Sequence, residues 1–145
     1  MSTVKNCLAH KPQRIICVKS TDTVQAALEL MKSNRVRAIL VIDDERLVGI
    51  VSQGDCAIRA FLPGHDARST PVSTIMTANP QTVKLGDPMD VCMGLMATRG
   101  FRHLPVLAGE KVVGVISIGD VVKEMMGQLS EHVSFLETYI KGHSA

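Results

Sequence analysis

Residues 47–55 read LVGIVSQGD, and residues 112–120 read VVGVISIGD. Each copy opens with a β-branched run that predicts a buried strand, and each closes with a serine followed three residues later by an aspartate, a pattern typical of a helix start. The copies lie 65 residues apart. An ungapped alignment at that offset, from Val18/Val83 to Asp55/Asp120, gives 13 identities in 38 positions. The chain therefore contains an internal repeat.

The composition predicts an ordinary α/β domain with an aliphatic core. The chain has 145 residues, of which 46% are hydrophobic and only 3% aromatic, so valine, isoleucine, leucine and eight methionines must fill the core. A net charge of +2 with scattered basic residues does not suggest a nucleic-acid partner. No apolar run approaches the roughly 20 residues that span a bilayer, and the N-terminus lacks the apolar segment of a secretory signal. We therefore expect a cytoplasmic protein that does not contact a membrane.

The cysteines do not form a recognisable metal or disulfide pattern. They show neither CxxC spacing nor paired histidine ligands. In a reducing compartment we expect all four to be core or near-core residues: Cys7, Cys17, Cys56 and Cys92.

Both halves of the chain predict the same order of elements, β-α-β-β-α. The first half is expected to contain a lead-in helix at 3–10 stopped by Pro12, then a strand at 14–19, a helix at 23–34, a strand at 38–42, a turn at 43–46, the signature strand and a helix at 54–62. The side chains of Ser20, Thr21 and Asp22 are expected to cap the helix at 23–34. In the second half, Asp87 is expected to cap a helix whose first residue is Pro88, and the last helix is expected at 120–129.

Apolar residues at helical spacing predict which face of each first helix is buried. These stripes are Val24, Ala27, Leu28 and Met31 in the first half, and Met89, Cys92, Met93 and Met96 in the second. We expect the methionines to be core residues.

The predicted boundaries divide the chain into a first motif at 8–66, a linker at 67–74, a second motif at 75–132 and a helical tail at 133–145. Residues 63–71 are dense in turn formers, and their number suggests a surface crossing between the motifs. In the tail, Phe135, Leu136, Tyr139 and Ile140 lie at helical spacing. This tail is either a helix folded back on the core or a helix covering a partner subunit.

The element order, the repeated signature and the run RHLPV at 102–106 resemble the CBS domain, and two such motifs in tandem resemble a CBS pair, or Bateman module. The resemblance covers residues 10–65 and 75–130. It implies two small α/β motifs packed by pseudo-two-fold symmetry, with two clefts between them. The lead-in helix, the linker and the stretch from Leu136 to Gly142 look like the stand-alone bacterial members of the family, in which a homodimer is common.

The resemblance also implies a ligand, because CBS clefts commonly bind adenosine-containing molecules. Aspartates suit ribose hydroxyls, serines and helix-start amides suit phosphate, and glycines allow close approach to the backbone. One cleft is expected to use Ile50, Ser52, Gly54 and Asp55 with Thr77, Thr82 and Phe101. The other is expected to use Val115, Ser117, Gly119 and Asp120 with Cys17 and Val36. Arg37, Arg102 and His103 are expected to reach phosphate oxygens.

Other interpretations of these residues remain open. A serine and an aspartate at a strand-to-helix junction also form an ordinary helix cap, worth about 1 kcal/mol, and the spacing alone favours that interpretation. The duplication and the family resemblance favour ligand binding for Asp55 and Asp120 and leave Ser52 and Ser117 undecided. His103 is equally compatible with a satisfied histidine at the core edge.

Two departures leave the ligand open among AMP, ADP, ATP, NAD(H) and S-adenosylmethionine. Many stand-alone relatives carry an arginine where this chain has Gly54, so one phosphate contact is missing. The second cleft has Cys17 where the first has Thr82. The preferred function is a regulatory module that senses such a ligand and acts on an unidentified protein. The alternative is a dimeric scaffold without a ligand. No catalytic set of residues supports an enzyme.

Overall fold

The computed structural model describes residues 2–10 and 14–143, which form two sheets flanked by helices. The first part contains α1 (Val4–Ala9), β1 (Cys17–Val18), α2 (Val24–Asn34), β2 (Ala38–Asp43), β3 (Arg46–Ser52) and α3 (Gln53–Asp55), which continues as a π-helix over Cys56–Phe61. The second part contains β4 (Thr77–Ala78), β5 (Val83–Lys84), α4 (Met89–Arg99), β6 (His103–Ala108), β7 (Lys111–Ser117) and α5 (Ile118–His143).

The two motifs agree down to the strand register. The sheets have the orders β1-β2-β3-β4 and β5-β6-β7, with a parallel first pair and an antiparallel second pair in each. Leu40 lies opposite Ile50 in the first sheet, and Pro105 lies opposite Val115 in the second, at the offset of 65. Equivalent register shifts follow Val41 and Val106. The predicted β-α-β-β-α repeat is confirmed.

Each motif is completed by the segment that precedes the other motif. The amide of Val4 donates to the carbonyl of Asp87 over 2.9 Å, and the amide of Val72, in the linker, donates to the carbonyl of Asp22 over 2.8 Å. Both valine side chains are fully buried, Val4 in the second core and Val72 in the first. The linker therefore does more than cross the surface.

The signature glycine of the first motif makes room for the returning chain. A Cβ on Gly49 would lie 2.5 Å from the Met76 sulfur and 3.0 Å from the carbonyl oxygen of Thr77. The residues after the linker pass directly over this glycine, where β4 adds a fourth strand with Ala78 opposite Gly49.

Two hydrophobic cores lie under the two sheets, and the methionine stripes are in them as predicted. Met31 is buried in the first core, and Met89 and Met96 are buried in the second. Leu28 does not belong to the stripe, since it is exposed. Cys7, Cys56 and Cys92 are buried, whereas Cys17 is exposed in the edge strand β1, so the expectation of four core cysteines was wrong for Cys17.

The helix caps differ from the predicted ones. The carboxylates of Asp22 and Asp87 each accept from a backbone amide three residues earlier, at 2.8 Å, and so close the turn before the helix. Thr23 is the N-cap of α2, where its side chain accepts from the amide of Ala26. Pro88 takes the N-cap position of α4 with an extended backbone, rather than the first helical position.

The last helix is much longer than predicted. It runs without interruption from Ile118 to His143, so the tail is neither separate from it nor folded back on the core. Its apolar residues beyond Met125 are exposed. Pro12, expected to end the first helix, lies outside the described residues, and α1 ends at Ala9 with His10 as C-cap.

A search of the described residues for a helix both long and apolar enough to traverse a bilayer finds none.

Candidate functional site

A cleft of about 570 Å³ lies between the two motifs. The first motif contributes the segment before β1, the turn from α2 into β2, and Ile50 of β3. The second motif contributes the start of β6, the end of β7 and the first residues of α5. Any molecule in this cleft touches both halves of the repeat.

The cleft combines an apolar wall with a basic rim. The wall is formed by aliphatic side chains from both motifs, including Ile16, Val36, Ile39, Ile50 and Val115. The rim carries four arginines and a histidine: Arg14, Arg35, Arg37, Arg102 and His103. None of the described residues that line the cleft is an aspartate or a glutamate. The electrostatic potential in the cleft is therefore positive, as an anionic ligand requires.

Two of the arginines are fixed by the same backbone contact. The carbonyl of Arg37 accepts from the amide of Gln53 over 2.9 Å, and the carbonyl of Arg102 accepts from the amide of Ile118 over 2.9 Å. These amides belong to the first residues of α3 and α5. Each arginine is thus held beside a helix N-terminus.

The signature serines and aspartates close a capping box in both motifs. In the first, Ser52 and Asp55 exchange hydrogen bonds between side chain and backbone amide at 3.0 and 3.1 Å. In the second, Ser117 and Asp120 do the same at 2.8 and 3.2 Å. The cap interpretation of these residues is therefore confirmed. Ligand binding by the same residues stays a prediction, because a carboxylate has a second oxygen and more than one lone pair on each.

Half of the predicted site residues line this cleft. They come from the ends of β3 and β7 and from the segments leading into β2, β6 and α5: Val36, Arg37, Ile50, Arg102, His103, Val115, Ser117 and Gly119. Ile50 was expected in the first cleft, and the three basic residues were not assigned to one cleft. The remaining residues of this set were all expected in the second cleft.

The other half do not line it: Cys17, Ser52, Gly54, Asp55, Thr77, Thr82, Phe101 and Asp120. The first cleft expected from the resemblance comprises most of them, and their roles there stay predictions.

Three of these residues make other contacts in the structure. Thr77 lies directly opposite Ile50 in β4, and Phe101 packs against the second core. Asp55 lies 3.7 Å from the guanidinium of Arg59, which also reaches the carbonyls of Ile75 and Met76.

Sequence reasoning missed two arginines of the rim, Arg14 and Arg35. Arg35 is the C-cap of α2 and has a left-handed backbone, with φ of 55°. The equivalent residue in the second motif is Gly100, also left-handed, with φ of 73°. A glycine in one copy aligned with an arginine in the other was a signal in the sequence that could have drawn attention to Arg35.

A second groove, of about 550 Å³, separates α1 from α5. Asp120 and Glu124 lie in it. The Glu124 carboxylate accepts from the Ser2 hydroxyl and lies 3.4 Å from the imidazole Nδ1 of His10. These contacts attach α1 to the last helix. The carboxylates make this groove a poorer site than the cleft for an anion.

The buried thiols are not poised for chemistry. Burial, with Asp87 and Cys7 nearby, raises the pKa of Cys92 to about 11. Burial and the neighbouring Asp55 raise the pKa of Cys56. Both are protonated thiols at neutral pH, which is the unreactive form. Within the described ranges, no cluster of three or more histidine, cysteine, aspartate or glutamate residues could hold a metal ion.

Comparison with known proteins identifies the class. The model of the CBS domain family matches residues 10–59 and 72–127, which is most of the chain in two segments. The chain belongs to the CBS-domain family and carries two CBS motifs in tandem.

Among curated proteins, YhcV of Bacillus subtilis, a CBS domain-containing protein, is 30% identical over 130 residues, covering 90% of each chain. The mitochondrial CBS domain-containing protein CBSX3 of Arabidopsis thaliana is 31% identical over 126 residues. That match covers 83% of this chain and 61% of CBSX3, so the plant protein extends well beyond the shared region.

Solved structures confirm the Bateman-module fold. A protein from Burkholderia ambifaria, described as a signal-transduction protein with CBS domains, is 39% identical and has a TM-score of 0.84, covering 87% of this chain and 95% of that one. A CBS domain protein from Pyrobaculum aerophilum complexed with AMP is 27% identical with a TM-score of 0.73, covering 82% and 89%.

Proposed function

We propose that this protein is a regulatory module whose cleft binds an adenosine nucleotide and whose occupancy is transmitted to a partner protein. The observation that carries the proposal is the composition of the cleft, which pairs an aliphatic wall from both motifs with a rim of arginines and a histidine. A nucleotide has the matching parts, a flat apolar base and an anionic phosphate. The volume of about 570 Å³ is ordinary for a small-molecule site.

The apolar wall is suited to the base. Val36 and Ile50 of the first motif and Val115 of the second can contact an adenine ring. Side chains from two motifs on one ring make binding depend on how the motifs are arranged.

The basic rim is suited to the phosphate. Arginine forms paired hydrogen bonds with phosphate oxygens, and Arg37 and Arg102 are held beside helix N-termini that also favour anions. Gly119 lies in the first turn of α5 and lines the cleft, so a phosphate can approach the backbone there. Ser117 adds a hydroxyl at the same place.

The AMP-bound relative from Pyrobaculum aerophilum supports a ligand of this class. We propose AMP, ADP, ATP or NAD(H), with S-adenosylmethionine less suited because it lacks a phosphate for the arginines. The family resemblance assigns Asp120 to the ribose; its carboxylate caps α5 next to the cleft residues Ser117 and Gly119, although Asp120 itself does not line the cleft in this structure. Asp55 has the equivalent role in the first motif.

We propose binding without turnover, since the described residues that line the cleft include no aspartate or glutamate that could act as a general base. We propose a cytoplasmic homodimer that acts on an unidentified protein. Because α5 begins at the cleft with Ile118 and Gly119, a ligand that shifts this helix changes a surface that a partner can contact. Such a shift requires different ligand affinity for two arrangements of the motifs.

The alternative is a scaffold without a ligand, and the two capping boxes favour it, since they give the signature serines and aspartates a structural role. A thermal-shift panel with AMP, ADP, ATP, NAD, NADH, S-adenosylmethionine and GMP decides between the two. A ligand at 100 times its Kd raises stability by about 2.7 kcal/mol. We expect at least one adenosine phosphate to raise the melting temperature and GMP to raise it less. If no adenosine compound raises it, the scaffold function replaces the proposal.

A further inference from the structure

The cleft between the two motifs is lined by arginines and not by lysines. The 16 basic residues of the chain are eight arginines and eight lysines, yet four arginines line the cleft and no lysine of the described residues does. Arginine presents a planar group that pairs with two oxygens of a phosphate at once, whereas lysine acts as a point charge. The residue type therefore indicates recognition of phosphate oxygens rather than a general need for positive charge.

The guanidinium groups of these arginines are available to a ligand. All four side chains are exposed, and within the described ranges none of them makes a hydrogen bond or an ion pair: Arg14, Arg35, Arg37 and Arg102. The chain has 14 acidic residues, so it does not lack partners for them. Arg59, which lies outside the cleft, does pair with Asp55. The cleft thus keeps four unpaired cations.

Three of the four arginines lie together on the first motif. A backbone hydrogen bond of 3.2 Å joins the segment before β1 to β2, and the two strands run parallel, so the residues before β1 lie beside the residues before β2. Arg14 is in the first of these segments, and Arg35 and Arg37 are in the second. Arg102 belongs to the second motif and lies beside the start of α5.

A single phosphate group cannot engage all four arginines. It has three acceptor oxygens and carries about two negative charges at most, and each paired contact with a guanidinium uses two oxygens. Arg37 and Arg102, which lie beside helix N-termini, already saturate one phosphate placed at the start of α5. Arg14 and Arg35 are then left for further phosphates of the same ligand.

Arg35 stands at a position that disfavours it. Its backbone is left-handed, with φ of 55°, a conformation that side chains other than glycine rarely adopt, and the second motif has Gly100 there. The backbone alone gives no reason for an arginine at this position. Because the side chain lines the cleft, its role is in binding.

We propose that Arg14 and Arg35 make the cleft selective for a ligand with two or more linked phosphates over a ligand with one. The inference rests on the nucleotide site proposed above and narrows its ligand to a nucleoside di- or triphosphate. AMP binds through Arg37 and Arg102 alone, and the added phosphates of ADP and ATP reach the other two arginines.

The test is a calorimetric titration of AMP, ADP and ATP, with EDTA present so that no divalent cation neutralises the phosphates. The cleft variant is Arg14→Gln/Arg35→Gln. The matched control is Arg68→Gln/Arg99→Gln, which removes the same charge from two exposed arginines outside the cleft. We expect the wild type and the control to bind ADP and ATP at least about tenfold more tightly than AMP. The cleft variant should bind AMP within about twofold of the wild type and lose the preference for ADP and ATP.

Two results would overturn the inference and leave the proposed function in place. One is equal affinity of the wild type for AMP, ADP and ATP. The other is an equal loss of preference in both variants, since that loss would reflect net charge alone.

Inorganic tripolyphosphate, which has no base, separates this inference from the proposed function. If it raises the melting temperature of the wild type but not of the cleft variant, while no adenosine compound raises either, the phosphate selectivity stands and the adenosine ligand is wrong. If neither tripolyphosphate nor any nucleotide binds the wild type, both proposals are wrong.

Discussion

Arg35 and Gly100 occupy the same position in the two motifs, directly after the first helix of each, and both have a left-handed backbone. A left-handed conformation costs an ordinary residue roughly 1–2 kcal/mol and costs glycine little. The side chain of Arg35 lines the cleft, where Gly100 offers none. The first motif therefore gives up stability at this position and gains a cation on the cleft rim.

Replacing this arginine should separate stability from binding. We expect Arg35→Gly to stabilise the protein by about 1 kcal/mol, or roughly 2–4 °C in melting temperature, and to weaken nucleotide binding. Arg35→Ala removes the same cation but keeps the strained backbone, so it should weaken binding without the gain in stability. Thermal unfolding and calorimetry measure both. If Arg35→Gly binds nucleotide as tightly as the wild type, Arg35 is not part of the site.

Gly119 should be required for the ligand and not for the fold. A Cβ at this position would lie 3.6 Å from the Ser117 hydroxyl, an ordinary contact, and the position is in the first turn of α5. We expect Gly119→Ala to keep or slightly raise the melting temperature and to weaken nucleotide binding at least severalfold, because the methyl group occupies space near the phosphate.

The matched control for that substitution is Gly54→Ala. Its Cβ would meet the Ser52 hydroxyl at the same 3.6 Å, but Gly54 does not line the described cleft. Equal loss of binding in both variants would show that the cleft between the motifs is not the main site.

Asp120 has two proposed roles that substitutions can separate. Its carboxylate accepts from the Ser117 amide over 2.8 Å. Asp120→Ala should therefore destabilise the protein by about 1 kcal/mol through loss of the cap. Asparagine retains an acceptor for the cap but is a weaker one for ribose hydroxyls. We expect Asp120→Asn to melt near the wild type and to bind nucleotide less tightly. If Asp120→Asn binds nucleotide as tightly as the wild type, the role of Asp120 is limited to capping α5.

Asp43 should contribute to the acid sensitivity of the first motif. The Ser20 hydroxyl and then the Ser20 amide, at 2.9 Å, donate to its carboxylate and lower its pKa, with Lys19 adding to the effect. A carboxylate with a lowered pKa stabilises the fold above its unfolded pKa, and this contribution disappears as the pH falls through the folded value. The second motif has Leu85 and Ala108 at the equivalent positions and lacks the pair.

We therefore expect Ser20→Ala to be less stable than the wild type at pH 7, with a difference that narrows as the pH falls below about 4. Urea unfolding at a series of pH values measures this. A difference that stays constant to about pH 2 would show that the hydrogen bonds to Asp43 do not depend on its charge.

The repeat allowed much of the fold to be predicted. The offset of 65 holds from Val18 to Asp55 without a gap, so the sheet order and the register of both motifs follow from it. The repeat did not predict that the segment before each motif completes the other motif. Val4 and Val72, the equivalent residues of these segments, are related by an offset of 68, and their alignment is too short to detect. The length of α5 was missed because the stretch after Ser130 has no counterpart in the first motif, so the repeat gave no information about it.

The site was predictable where it lies on the repeat. Arg37 and Arg102 were found because both precede the central strand of a motif. Cys17 was placed in the cleft, but Ile16, directly before β1, lines it instead, since successive residues of an extended backbone point in opposite directions. Arg14 was missed because only the folded chain brings it to the rim. Arg35 was missed although the repeat aligns it with Gly100, a difference between the motifs that is visible in the sequence.

The most direct test of the central claim is a calorimetric titration of AMP into the wild type, Arg102→Gln and Arg99→Gln. Arg102 lines the cleft, whereas Arg99 is an exposed arginine at the end of α4 that does not. A hydrogen bond to a charged group contributes about 1.5–3 kcal/mol, so we predict saturable binding that Arg102→Gln weakens about tenfold or more and Arg99→Gln leaves unchanged. Absence of binding to the wild type, or equal weakening by both substitutions, would contradict a nucleotide site in the cleft between the motifs.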